Sequence, residues 1–252
     1  MIQISSLEIS LGSRVILSGV NAEIPPGLTC ILGANGSGKT MLLRTLCALM
    51  PPSGGKVRLD DEDITTMSRN ARARRIAYMP QLRPVPQIEA RLLVEHARYP
   101  FSGFSKHIDE AGEEIVEQSL NRANALFLCD KMLTELSGGE RQRVYVAAAL
   151  AQGTDVLLLD EPTTYLDLNS QLELLRLLRS IGEEGKTVVA VMHDVLQAFS
   201  FAERVMLLDG GRMAFYAEAA DKDAARALKS IYGCGISADE RQDAVYKFRL
   251  TK

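Results

Sequence analysis

The chain has 252 residues, enough for one large domain or two small ones with a full-sized core, and 46% hydrophobic with 24% charged residues excludes extended disorder. Its 29 basic and 32 acidic side chains leave a formal charge of −3, against the basic face and high pI expected of a nucleic-acid binder. No apolar run approaches the ~18 residues needed to cross a bilayer, and Met1–Ser5 lacks the basic start and apolar core of a signal peptide.

In chain order, Ile2–Ile9, Val15–Leu17 and Val20–Ile24 read as strands of an antiparallel sheet. Pro25-Pro26-Gly27 punctuates, and Leu28–Leu32 is a compact apolar strand leading into a glycine loop. Leu42, Leu43, Leu46, Leu49 and Met50 then recur at helical spacing, with Pro51-Pro52 as the stop. Strand character returns over 53–80, interrupted by Ser68–Arg75, whose Arg69, Arg72, Arg74 and Arg75 fit a solvated helix face or a contact with a membrane partner. Residues from about 84 to 135 are polar and helical in tone. Beyond them come a helix over Ser137–Ala151, a strand at Val156–Asp160 and a helix over Asn169–Ile181. A strand at Thr187–Met192, a helix at Leu196–Ala202 and a strand at Val205–Leu208 follow. The alternation predicts an α/β fold with a mostly parallel sheet and helices on its faces. Cys30, Cys47, Cys129 and Cys234 form no close pairs and are expected to be four buried thiols, not a zinc cluster or disulfide framework.

The glycine loop is Gly33-Ala34-Asn35-Gly36-Ser37-Gly38-Lys39-Thr40. Between a strand and a helix, its glycines let the backbone curl so that consecutive N–H groups cradle an anion at a helix N-terminus. Lys39 would reach the β- and γ-phosphates of ATP, and the Thr40 hydroxyl would ligate Mg²⁺. Val156–Pro162 sets Asp160 and Glu161 at the C-terminal end of a buried strand, where α/β folds bind ligands. Asp160 is expected to hold Mg²⁺ through its water shell, and Glu161 to polarise the attacking water as general base. Leu136-Ser137-Gly138-Gly139-Glu140-Arg141-Gln142-Arg143 precedes another helix; Ser137 and Glu140 fit a capping box, and Gly138 and Gly139 expose N–H groups as a second anion site. Two phosphate-binding helix ends on one chain suggest that two chains share each nucleotide.

Leu136–Glu140 resembles the signature loop of the ABC ATPases, the nucleotide-binding subunits of ATP-binding-cassette transporters. The glycine loop, Gln81 in Tyr78–Gln81, the acidic strand end, Leu166-Asp167 and His193 in Met192–Asp194 follow the family order, and the resemblance spans roughly residues 2–215. It implies a P-loop ATPase core with a mostly parallel sheet, an N-terminal antiparallel β subdomain and an inserted α-helical subdomain. The whole of 1–252 would be one ABC ATPase domain, with the helical signature subdomain at about 84–150 and a C-terminal cap at about 217–252. Two copies would pack head to tail around two ATP molecules, Ser137, Gly138 and Gly139 of one facing the γ-phosphate held by Lys39 of the other. The resemblance gives Gln81 to sensing Mg²⁺ or the attacking water, His193 to a γ-phosphate hydrogen bond, and Asp167 to a contact with the opposite copy. Where the family places an aromatic on adenine, this chain has Leu11, which offers apolar contact without stacking.

Glu161–Leu168, Gln171–Arg176, Ala73–Tyr78 and Ala97–Pro100 further resemble the importer ATPases for ferric siderophores, haem and cobalamin. The partners so implied are a second copy, transmembrane permease subunits and, indirectly, an extracytoplasmic substrate-binding protein, with no nucleic acid. The chain would be cytoplasmic and peripheral on the inner face of the membrane through the permease. A soluble relative acting on DNA or ribosomes is the competing reading. Against it, fewer than a hundred residues separate Thr40 from Leu136, leaving no room for a long coiled coil, and there is one cassette rather than two.

Overall fold

The computed structural model describes residues 1–102, 108–232, 235–238 and 246–249. Strands β1 (Ile2–Leu11) and β2 (Arg14–Ile24) form a hairpin, and β3 (Gly27–Gly33) runs into the glycine loop and helix α1 (Lys39–Leu46). Strands β4 (Gly54–Leu59) and β5 (Glu62–Asp63), helix α2 (Arg69–Arg75) and strand β6 (Ile76–Met79) follow. A helical segment comes next: α3 (Ala90–His96), α4 (Tyr99–Ser102), α5 (Glu110–Arg122), two 3₁₀ turns, and α6 (Gly138–Ala151). Then come β7 (Val156–Asp160), α7 (Leu168–Glu183), β8 (Thr187–Val191), α8 (Val195–Phe201), β9 (Arg204–Asp209) and β10 (Arg212–Glu218). Helix α9 (Lys222–Tyr232) and the paired strands β11 (Gly235–Ala238) and β12 (Tyr246–Arg249) complete the order.

The larger sheet has the order β10-β9-β3-β8-β7-β6, parallel throughout except for β10 at its edge. The smaller antiparallel sheet has the order β2-β1-β4-β5. Side chains alternate across a strand, so each central strand feeds two cores. Leu157 and Leu159 join Leu28, Leu32, Val188 and Ala190 against α6, α7 and α8. Val156 and Leu158 join Ile31, Val189 and Val191 against α1 and the smaller sheet. Helix α7 seats on the sheet through Leu174, Leu175, Leu178 and Ile181, spaced for one helical face. This layering brings the C-terminal ends of β3 and β7 to one rim, where the glycine loop and the paired carboxylates emerge.

Three local expectations change. The predicted strands Val15–Leu17 and Val20–Ile24 are one strand, because Gly19 takes a positive φ of 67° and carries the chain through a bulge. The helix expected to run to Met50 ends at Leu46. Ala48 turns to φ 50° and ends the helix; Cys47, Ala48 and Met50 still pack against the core, while Leu49 is 67% exposed. Of the four thiols, Cys30 and Cys47 are buried, but Cys129 is only half-buried, and Cys234 lies outside the described residues. Burial pushes the Cys30 thiol up to about 12 and the Cys47 thiol up to about 11, so both stay protonated. Helix α2 buries none of its residues, and Arg69 and Arg74 are exposed; Arg72 donates to the Met67 carbonyl at 3.1 Å, Arg74 to that of Pro100 at 2.7 Å, and Arg75 pairs with Asp60.

Candidate nucleotide site

The glycine loop leaves β3 at Gly33, where a side chain has no space: a Cβ would lie 2.3 Å from the Leu208 carbonyl oxygen and 2.6 Å from Ser37 Oγ. Gly38, at φ 100°, precedes α1 without a side-chain cap, so the first amide groups of the helix stay free to donate to an anion. Lys39 is 7% exposed and folds back on the loop, its Nζ donating to the carbonyls of Gly33 (2.7 Å) and Ala34 (3.0 Å). Desolvation pulls the Lys39 ammonium below its ordinary pKa, and Glu161 and Asp160 oppose that shift.

At the end of β7, Asp160 is fully buried, and neither carboxylate oxygen has a hydrogen-bond partner among the described residues. Burial raises its pKa; the Thr40 hydroxyl lies close enough to oppose the rise, and Glu161 adds to it. An orphaned buried carboxylate beside Thr40 and Lys39 is the donor a hard cation takes, and its unmet bonding fits a Mg²⁺ site. Among the described residues no group of three or more His, Cys, Asp or Glu side chains is gathered to hold a metal. A cation here would draw the rest of its shell from water or the oxygens of a bound ligand.

Glu161 takes a positive φ of 54°, which turns its side chain off the strand direction. Its Oε1 lies 2.5 Å from His193 Nε2, and its Oε2 accepts from the Thr164 hydroxyl at 3.3 Å. His193 sits between β8 and α8, so neighbouring parallel strands deliver the pair to the same rim. A cavity of about 510 Å³ opens there, lined by Leu11, Asn35, Gly36, Gly38, Lys39, Thr40, Gln81, Glu161 and His193. Leu11, Arg14 and Ile16 belong to the same lining, and Leu11 is half exposed. One chain thus gathers the predicted loop, base, Gln81 and His193 around one space, with Asp160 buried beneath it.

Ser137, Gly138, Gly139 and Asp167 do not line that cavity. Ser137 caps α6 in a reciprocal box: Glu140 N donates to Ser137 Oγ at 3.3 Å, and Ser137 N donates to Glu140 Oε2 at 2.8 Å. Tyr165 explains part of the glycine pair, because a Cβ on Gly138 would lie 3.2 Å from Tyr165 Cβ and one on Gly139 3.3 Å from its carbonyl oxygen. Asp167 caps α7, accepting from Ser170 N at 3.0 Å and Ser170 Oγ at 2.8 Å. The signature loop therefore lies outside the lining of its own chain's cavity.

The sequence matches the ABC transporter family over residues 17–164, more than half the chain. The chain belongs to the ABC transporter ATP-binding family. A probable siderophore transport ATP-binding protein of Bacillus subtilis (strain 168) is 39% identical over 220 residues, 86% of this chain and 79% of that protein. The ferric enterobactin transport ATP-binding protein of Escherichia coli (strain K12) is 38% identical, over 90% of this chain and 85% of that one. A hemin import ATP-binding protein of Pseudomonas putida is 33% identical over the full length of both. Among solved structures, a dimeric post-hydrolysis cassette bound to ADP and phosphate superposes with a TM-score of 0.78 at 27% identity, covering 88% of this chain and all of that one. A metal-chelate-type ABC transporter in an inward-facing state shares the fold, with a TM-score of 0.82.

This ABC ATPase also holds its site with residues the sequence reading passed over. Gln142, 2% exposed, donates through Nε2 to the Pro162 carbonyl directly after Glu161. Gln171 donates to the carbonyls of Thr163 (3.3 Å) and Leu166 (3.1 Å), and Gln197 donates to Gln171 Oε1 at 2.7 Å. A signal was present for Gln142: it stands four residues before Val146 on the buried face of α6, a polar residue at an apolar position.

Proposed function

We propose that this chain is the ATP-hydrolysing subunit of an importer for an iron chelate, a ferric siderophore or haem, working as a head-to-tail homodimer on permease subunits. The observation that carries the hydrolytic part is the stack of Lys39, orphaned Asp160 and the Glu161–His193 pair around one cavity. The cargo class rests on relatives named for siderophore and hemin transport at 33–39% identity.

In this reading the loop from Gly33 to Thr40, with Ala34, Asn35, Gly36, Ser37 and Gly38 between, binds the phosphates through its amide groups, and Lys39 exchanges the Gly33 and Ala34 carbonyls for phosphate oxygens. Thr40, Asp160 and Gln81 would hold Mg²⁺, which when bound neutralises charge on the β- and γ-phosphates. Glu161 takes a proton from water as the water oxygen bonds to the γ-phosphorus and the bond to the β-phosphate oxygen breaks, leaving ADP and phosphate. His193 orients Glu161 through the bond it already makes, then hydrogen-bonds the transferred phosphoryl group. Helix positioning, not covalent chemistry, does most of this.

Ser137, Gly138 and Gly139 of the second copy complete each site, and Asp167 contacts that copy. This assigns the helical stretch at about 84–150 to presenting the signature loop, and about 217–252 to a cap, part of which (residues 233–234, 239–245 and 250–252) lies outside the described residues. No helix among the described residues is long and apolar enough to cross a membrane, so the membrane link falls to the permease. An extracytoplasmic binding protein would deliver cargo to that permease. The test is reconstitution with a co-purified permease and its binding protein. ATP turnover stimulated by a ferric siderophore or haem supports the assignment; turnover indifferent to every iron chelate overturns the cargo class.

A further inference from the structure

Two catalytic segments are pegged to the same helix. On α6, Gln142 and Tyr145 stand three residues apart and share a face. Gln142 Oε1 accepts from Arg83 Nη2 at 2.7 Å, while its Nε2 donates to the Pro162 carbonyl. The Arg83 guanidinium lies 4.4 Å from the Tyr145 ring centroid, and the Tyr145 hydroxyl donates to the Pro84 carbonyl at 2.8 Å. Arg83 follows Gln81 by two residues, and Pro162 follows Glu161 by one. Arg83 Nη1 is buried without a hydrogen-bond partner, so the guanidinium is held by Gln142 and Tyr145 alone among the described contacts of that group.

A buried amide that uses its donor on one loop and its acceptor on another has no freedom to satisfy either alone. Rotating the amide or shifting either segment leaves at least one buried polar group unmet, which disfavours all but one joint arrangement. We infer that Gln142 is a positioning residue, which sets the Glu161 backbone according to where Arg83 holds the segment after Gln81. Movement at Gln81 would then reach Glu161 through side chains of this same chain, independently of any nucleotide contact. The inference rests on Glu161 acting as the base.

The test measures steady-state ATP hydrolysis and melting temperature on the purified full chain. Gln142→Leu removes both bonds and should lower kcat about tenfold or more while KM for ATP stays within about threefold, the pattern of a misplaced base. Arg83→Met should lower kcat similarly, and the double variant should lose no more than Gln142→Leu alone, because both act through one link. Gln142→Glu keeps size and the Arg83 acceptor but removes the donor to Pro162, so kcat should remain low even where melting is restored. Wild-type kcat in Gln142→Leu or Gln142→Glu, or independent losses in the double variant, overturns the inference. Glu161→Gln run in parallel separates the two claims. Turnover retained there defeats the base assignment, whereas its loss alongside a normal Gln142→Leu defeats only the relay.

Discussion

Asp160→Asn should make the nucleotide-free protein more stable while disabling it. The wild-type carboxylate is fully buried with both oxygens unpaired, and burial lifts its pKa above the ordinary carboxylate value. The native state therefore holds the Asp160 proton more tightly than the unfolded chain does. Its contribution is favourable below the ordinary carboxylate range and is lost as pH rises through the native pKa. An ionised carboxylate there carries a charge-burial cost that the neutral Asn amide lacks. A buried unsatisfied polar group costs about 1–3 kcal/mol, more when charged, and Thr40, Arg44 and Lys39 offset part of it. A net gain of about 1–2 kcal/mol follows, or roughly 2–8 °C in Tm for a chain of this size. Thermal melting without nucleotide should show the gain at pH 7–8 and its disappearance as pH falls below the ordinary carboxylate range. With Mg²⁺ and ATP the order should reverse, since a ligand at 100 times its Kd stabilises wild type by about 2.7 kcal/mol and the variant lacks the Mg²⁺-dependent share. An Asp160→Asn protein that melts at or below wild type at neutral pH, or that keeps Mg²⁺-dependent turnover, would show that this buried carboxylate is neither a stability cost nor the Mg²⁺ ligand.

Replacing Leu11 with Tyr should lower KM for ATP roughly two- to tenfold, as an aromatic contact worth about 0.5–1.5 kcal/mol would, with kcat unchanged; an unmoved KM would remove Leu11 from the base end of the cavity. Lys39→Ala and Ser137→Arg chains should each be inactive, and mixing them should restore hydrolysis, because the mixed dimer rebuilds one site from the intact Lys39 of one chain and the intact Ser137 of the other. Mixtures as inactive as their parents contradict the shared site.

Much of this was legible in the sequence because the site is built where chain direction and chemistry coincide. Gly33 to Thr40 and Asp160-Glu161 both follow apolar strands, and the parallel pairing of β3, β8 and β7 must bring those strand ends to one rim. The capping box at Ser137 and Glu140 was readable for the same reason, since its partners lie three residues apart. The bulge in β2 and the early end of α1 were not, because both depend on tertiary surroundings: Cys47, Ala48 and Met50 still pack on the core, but through a turn at Ala48 that the apolar spacing does not reveal. The polar links at Gln142, Gln171 and Gln197 join residues 5 to 59 positions apart, and no local pattern encodes such pairings. The closeness of Glu161 and His193 likewise needs the β7–β8 register to be known.

As the proposed general base, Glu161 stands apart from the groups that bind ATP, and Glu161→Gln separates the two roles when binding and turnover are measured on one preparation. ATP should bind with near wild-type affinity while hydrolysis falls by about 10²–10⁴, the loss expected of a general base, and an ATP-bound dimer should accumulate. Wild-type turnover, or ATP binding lost in step with turnover, would rule out Glu161 as the base.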